Sequence, residues 1–408
     1  MKTVAIIGGG AAGLMAAYAA SRSGEDRVIL YERQARVGRK LLATGNGRCN
    51  LTNLNANVSN YHGQNPEFVR PALGKLTVAD TLELFHGLGL LTAEGEGGRM
   101  YPLSDSANSV LDVLRFAIET GGVELKAGAP VTAVKRSGKG FVVETEGERD
   151  FADKVIVACG GLAGTKLGGT MSGYKLLRSF GHKCTKLRPT LVQLKSSWPG
   201  AASLKGVRAN CHAQILHNSE VFAQSKGELQ FTEYGLSGPV IFEISRDVCQ
   251  GRGEWACRLD LLPEIDENTL KTELLRRKQT NLPVSELLTG ILHNRLGRVL
   301  TQNAGISGYV PVSQLEDYEI DAVCKAVKGF EVTLTEPMGM DSAQVTAGGL
   351  VTKEFKSETM ESKLVPGLYA CGEVLDIDGD CGGYNLQWAW SSGRLAGSHA
   401  GGKHDPNS

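Results

Sequence analysis

Val4-Ala5-Ile6-Ile7-Gly8-Gly9-Gly10-Ala11-Ala12-Gly13, followed by the small-residue run Leu14 to Ala20 and then by Val28-Ile29-Leu30-Tyr31-Glu32-Arg33, decides the fold of this chain. A short β-branched run meets a Gly-x-Gly-x-x-Gly turn, a helix-forming run follows, and a second strand ends in an acid. That order is the one a dinucleotide-binding βαβ unit requires. Gly8 permits the tight turn, Gly10 lets backbone approach a pyrophosphate, and Gly13 lets helix and strand pack closely. The helix start at Ala11 and Ala12 offers free N–H groups and a positive dipole end to phosphate. Glu32, nineteen residues after Gly13, is placed to accept hydrogen bonds from an adenosine ribose, with Arg33 beside it. Lys2 before an apolar, alanine-ended run imitates a secretory signal, but glycines break the run where such a signal is uninterrupted.

The loop that follows, Gly38-Arg39-Lys40-Leu41-Leu42-Ala43-Thr44-Gly45-Asn46-Gly47-Arg48-Cys49-Asn50-Leu51-Thr52-Asn53, has neither strand nor helix periodicity. Arg39, Lys40 and Arg48 supply positive charge for phosphate. Gly45, Gly47 and the amides around Cys49 and Asn50 can approach a flat ring system. Cys49 has no second cysteine in the loop, so a dithiol relay is not supported, and a small buried thiol is expected.

The far end of the chain supplies a matching half. Leu368-Tyr369-Ala370-Cys371 is an apolar strand ending in Gly372-Glu373, a carboxylate suited to a ribitol hydroxyl. Gly382-Gly383 then opens a helix at Tyr384, Asn385 and Leu386, whose positive end suits the pyrimidine edge of an isoalloxazine. Asp153 to Gly161 is a further buried strand, ending in Gly160, that returns to the sheet after a ribbon of short strands at 123 to 145. The expected architecture is α/β: a two-part Rossmann-like FAD-binding domain of the glutathione-reductase-like class, residues 1–189 and 335–408. It surrounds a β-barrel-like insert at 190–262 and a helical insert at 263–334. Strands are predicted at Ala213 to Leu216, Glu228 to Thr232, Val240 to Ile244 and Trp255 to Leu261, and helices at 266–278, 283–301 and 313–328. Residues 66–120 read as helical, interrupted by a loop carrying Arg99, Tyr101 and Ser104. The residues after Gly401 read as a frayed tail.

Composition narrows the function. Forty-four basic and forty-four acidic residues balance, so no global field favours nucleic acid or anionic membrane. No apolar run is long enough to span a bilayer. Nine cysteines with no C-x-x-C pair read as reduced cytoplasmic thiols and not as a metal site. Tyr384, Tyr101 and Ser237 are the candidate proton donors or carbonyl anchors for a small organic substrate. The chain has no second Gly-x-Gly-x-x-Gly unit, so a nicotinamide donor has to bind transiently. Oligomeric state is left open by these patterns.

These stretches, with Phe231-Thr232, Gly235-Leu236-Ser237-Gly238-Pro239, Thr359-Met360-Glu361-Ser362-Lys363 and Gly382-Gly383-Tyr384-Asn385-Leu386-Gln387-Trp388-Ala389-Trp390, give the chain its resemblance over nearly its whole length. It resembles the bacterial FAD-dependent flavoprotein family that includes aminoacetone oxidases and the bile-acid 3-oxo-Δ4,6-reductase. The resemblance implies non-covalent FAD covered by the inserted region, and a backbone contact from Val131 to the adenine. It implies NADH- or NADPH-driven reduction of a C=C bond conjugated to a carbonyl, in bile-acid or steroid metabolism. An amine oxidase using O2 and an enzyme reducing uridine in ribosomal RNA are the alternatives. In Gly169-Thr170-Met171-Ser172-Gly173, Met171 stands where the family carries glycine.

Overall fold

A computed structural model describes residues 1–248 and 252–401. Cys249 and the tail beyond Gly401 lie outside the described residues. The chain divides into two compact units, Met1–Arg188 with Gln344–Ser408, and Pro189–Ala343.

The first unit is built on a five-stranded sheet in the order Leu368–Ala370, Lys154–Val157, Thr3–Ile7, Arg27–Glu32, Glu124–Ala127. Every neighbouring pair is parallel. Parallel strands are covered on both faces and so need unbroken apolar runs; Val4, Ala5, Ile6, Val155 and Ile156 are fully buried. The first helix, Ala11–Ser21, packs against the C-terminal helix, Tyr384–Ala400. Small residues set that contact: a Cβ on Gly393 would lie 2.4 Å from the Ala12 carbonyl oxygen, and one on Gly397 would lie 2.3 Å from that of Ala16. A three-stranded antiparallel ribbon, Ala133–Ser137, Gly140–Glu144 and Arg149–Ala152, intervenes before the fourth sheet strand in the chain.

A buried polar clamp holds a crossing in this unit. His182 Nδ1 lies 3.0 Å from Glu354 Oε2 and Nε2 lies 2.9 Å from Ser362 Oγ, with the ring stacked on Phe355. The order imitates an acyl-transfer triad, but Ser362 is 2% exposed and its Oγ already accepts the Leu364 and Val365 amides. It is a structural clamp.

The second unit is a closed six-stranded barrel: Leu194–Ser196, Gly235–Ser237, Glu220–Thr232, Arg208–His217, Trp255–Asp260 and Phe330–Pro337. Its last strand comes after the helices Glu267–Arg277, Asn294–Asn303 and Asp317–Lys328, and one apolar cluster runs through barrel and helices. Two sequence expectations change here. Val240 to Ile244 is not a strand but part of the short helix Pro239–Ile244, because Gly238 at φ 98 turns the chain and Pro239 starts a helix favourably. The helix expected at 283–301 instead begins at Asn294, after a single 3-10 turn at Val284–Glu286.

Candidate functional site

At the first sheet strand, each glycine of the turn answers a different demand. Gly8 sits at φ +111, and a Cβ there would be 2.5 Å from the Ala158 carbonyl oxygen; one on Gly13 would be 1.8 Å from the Gly8 oxygen. A Cβ on Gly10 would meet nothing within 4 Å, so that side of the turn is open. Leu14 N–H bonds the Gly10 carbonyl at 2.9 Å, so the amides of Ala11, Ala12 and Gly13 precede the first intrahelical bond and face out of the helix end. Glu32 is fixed by two backbone donors, Gly9 N–H to Oε2 and Gln34 N–H to Oε1, each 2.8 Å. The adjoining Arg33 reaches the Gly168 carbonyl at 3.0 Å, and Arg39 reaches Gln34 Oε1 at 2.7 Å. Val131 lies just past Ala129, whose N–H bonds the Glu32 carbonyl at 2.9 Å. Gly160, φ +70, also borders open space.

The C-terminal half joins this one directly. Glu373 accepts the Thr346 N–H on Oε1 and receives Lys40 Nζ on Oε2, both at 2.8 Å, and a Cβ on Gly161 would come within 2.4 Å of that Oε1. The sequence suggests Lys40 for phosphate and Glu373 for ribitol as separate tasks, whereas the structure pairs them. Gly372, φ +74, donates its N–H to Ser392 Oγ at 3.0 Å. Gly383 takes φ 103 as the residue before the 17-residue C-terminal helix, and Gln387 N–H bonds its carbonyl at 3.0 Å. The amides of Tyr384, Asn385 and Leu386 therefore stand at the head of the helix, ahead of its first intrahelical bond. The Asn385 side chain is spent on the preceding loop, accepting Gly379 N–H at 2.8 Å and donating to the Gly379 carbonyl at 2.7 Å.

Between the halves runs the glycine loop. Gly45, Asn46, Gly47 and Cys49 all have positive φ, and the loop's end is pinned by buried groups. Leu51 N–H bonds the Met100 carbonyl at 2.8 Å, Trp390 Nε1 donates to the Leu51 carbonyl at 2.9 Å, and Thr52 Oγ1 bonds Gln387 Oε1 at 2.6 Å. Gln387 Nε2 also donates to the Leu76 carbonyl and to Thr81 and Ser391. Thr52 and Gln387 went unrecognised in the sequence because their partners are hundreds of residues away, and Thr346 because it acts on Glu373 through its backbone N–H, which no residue type signals. Burial pushes the Cys49 thiol up to about 12, so it is protonated and unreactive at neutral pH.

The proton-donor candidates are distributed between the units. Tyr384 is 8% exposed, and Tyr61 Oη donates to its carbonyl at 3.0 Å. Tyr101 lies on the strand Arg99–Pro102, where the sequence predicts a loop, and the Arg48 guanidinium stacks 4.5 Å from its ring centroid and 3.6 Å from Asp105. Ser237 belongs to the second unit, buried on the barrel strand opposite Gln230.

These parts fit FAD on structural grounds. An open face at Gly10 adjoins one helix start, a fixed acid stands at Glu32, and a second helix start follows Gly383, all within the first unit.

Comparison with known proteins agrees. The profile of the HI0933-like protein Rossmann domain matches residues 2–399. The 3-dehydro-bile acid delta(4,6)-reductase of Clostridium scindens is 43% identical over 406 residues, 98% of this chain and 99% of that protein. The ribosomal RNA dihydrouridine synthase of Escherichia coli is 34% identical over 392 residues, 95% of each chain. A flavocytochrome c3 fumarate reductase in its open conformation has a TM-score of 0.50 at 16% identity, covering 98% of this chain and 78% of that one; it establishes the fold alone. The fold is a Rossmann-type FAD-binding fold and the enzyme class that of an FAD-dependent oxidoreductase. The chain belongs to the HI0933-like Rossmann-domain family.

Proposed function

We propose that this enzyme reduces a C=C bond conjugated to a carbonyl in a substrate of the 3-oxo-4-ene steroid or bile-acid type, with NADH or NADPH as a transient electron donor. The observation that carries the reading is the end-to-end match to a reductase of that substrate class, 43% identical over 406 residues. When bound, FAD supplies the two-electron hydride chemistry such a reduction needs.

The protein's part is placement and charge. The amides of Ala11, Ala12 and Gly13 hold the pyrophosphate, with Gly10 and Gly160 giving room for close approach and Gly8 and Gly45 shaping the turns that present it. Glu32 takes the adenosine ribose and Val131 the adenine. Glu373, oriented by Thr346 and Lys40, takes the ribitol, and the start of the C-terminal helix at Gly383, Asn385 and Leu386 offers donors to the pyrimidine edge. Arg33, Arg39 and Arg48 add positive charge around the nucleotide and Gly372 lines it, while Cys49, expected from the sequence to join them, is fully buried. A side chain or water protonates the carbon that does not receive hydride, and Tyr384, Tyr101 and Ser237 are the residues to test for that role. Nine cysteines with no C-x-x-C pair favour a reducing, cytoplasmic setting.

The test is anaerobic. The coloured protein is bleached with NADH and, separately, NADPH, then mixed with a panel of enones including 3-oxo-4-ene steroids. Colour returning with an enone and saturated product supports the proposal; indifference to every enone with rapid recolouring in air favours an amine oxidase. A second reading, uridine reduction in ribosomal RNA, is favoured by the Escherichia coli relative and by one of Haemophilus influenzae at 31% identity. The balanced charge of this chain, formal net charge +0, weighs against it. Dihydrouridine formed on deproteinised ribosomal RNA would decide for it.

A further inference from the structure

Asn50 stands at the foot of the C-terminal helix with a side-chain carbonyl that no group in the protein answers. The residue is only 9% exposed, and its Oδ1 is buried without a hydrogen-bond partner among the described residues. A Cβ on Gly383, the residue preceding the helix, would lie 2.9 Å from that oxygen, so the carbonyl is turned toward the helix start. Turning the amide over would set its NH2 against the positive end of the helix, the less favourable arrangement.

The residue is also held in place. Cys49 before it has φ 62 and bonds the Thr44 carbonyl at 3.0 Å. After it, both backbone groups of Leu51 are engaged, by Met100 and by Trp390, and Thr52 is tied to the buried Gln387. A buried acceptor left unmatched destabilises a folded protein, and these restraints keep this one from turning to water.

The helix start offers hydrogen-bond donors only. The imide edge of an isoalloxazine reads carbonyl, N–H, carbonyl, and therefore requires donor, acceptor, donor from its surroundings. Amides at the head of the helix meet the carbonyls but not the N–H. Resting on the flavin reading above, we infer that Asn50 Oδ1 accepts the hydrogen bond of the flavin imide N–H. It is a positioning contact that fixes the ring's orientation against the helix.

The experiment measures binding and folding, with no turnover. Dissociation constants are determined for FAD and for FAD methylated on the imide nitrogen, using wild type, Asn50→Ala and Asn50→Ser. Wild type is expected to bind the methylated flavin about tenfold or more weakly than FAD. Asn50→Ala and Asn50→Ser are expected to bind FAD about tenfold more weakly than wild type and to discriminate little between the two flavins. Urea unfolding of the apoproteins is expected to show both variants as stable as wild type or more so, because an unmatched acceptor has been removed. Equal discrimination by wild type and variants, or variants that bind FAD as tightly as wild type, overturns the inference while leaving the flavin reading intact. A wild type that binds neither flavin overturns the flavin reading itself.

Discussion

Gly10 and Gly383 each precede a helix of the proposed FAD site, yet they are glycine for opposite reasons. Gly10 has an ordinary φ of −81 and open space where a Cβ would go; the protein can accept a methyl there, and on the proposed function only the bound FAD could not. Gly383 has φ 103, and a Cβ would lie 2.5 Å from the backbone of Thr52; the protein itself forbids the methyl. One glycine is reserved for a binding partner and the other is demanded by folding. Backbone conformation and space separate the cases, and the sequence, which shows a glycine in both, does not.

The sharpest way to break this contrast is Gly383→Ala. It combines a positive-φ penalty with a backbone clash, and should cost about 2–5 kcal/mol in unfolding free energy, read by urea denaturation of the apoprotein; a loss as small as that of a surface variant would refute the claim. Gly10→Ala should leave that unfolding curve nearly unmoved, or raise it slightly, while weakening FAD by about 100-fold, near 2.7 kcal/mol. Calorimetric titration with FAD checks it, and retained affinity would show that the pyrophosphate does not lie there. The smallest effect is expected at a third helix start. Met171, at the position where the resemblance implies glycine, has φ −82, which any residue adopts, so Met171→Gly should cost no more than about 1 kcal/mol. A larger loss would mean that the methionine side chain, partly buried against the core, carries more packing than its position indicates.

Legibility followed sequence distance. The turn from Gly8 to Gly13 and the acid at Glu32 lie within one βαβ unit, where spacing and chemistry are local, and so they were readable; Gly372-Glu373 and Gly382-Gly383 were readable for the same reason. The Lys40–Glu373 ion pair spans |i−j| = 333 and Thr52–Gln387 spans 335, and no periodicity reports a pairing of that kind. Val240 to Ile244 misled because a short β-branched run suits strand or helix alike, and Gly238-Pro239 settled it. Tyr101 reads as a loop residue because the strand Arg99–Pro102, four residues long with a glycine pair before it and a proline at its end, is too short for a pattern to register.

The crossing held by His182, Glu354 and Ser362 is expected to lose stability on acidification, in a direction that burial sets. Burial lowers the proton affinity of His182 below the ordinary 6.5, against the opposing pull of Glu354, so on acidification the unfolded chain takes up a proton that the native state refuses. Stability from this residue is complete above about pH 6.5 and drains away as pH falls below it. Protonation would also set Nε2–H against a serine oxygen that already accepts two amides, leaving its hydroxyl hydrogen without an outlet. Melting temperature should therefore drop between about pH 7.5 and about pH 5.5, less so in His182→Gln. An equal drop in both would assign the lability to other groups.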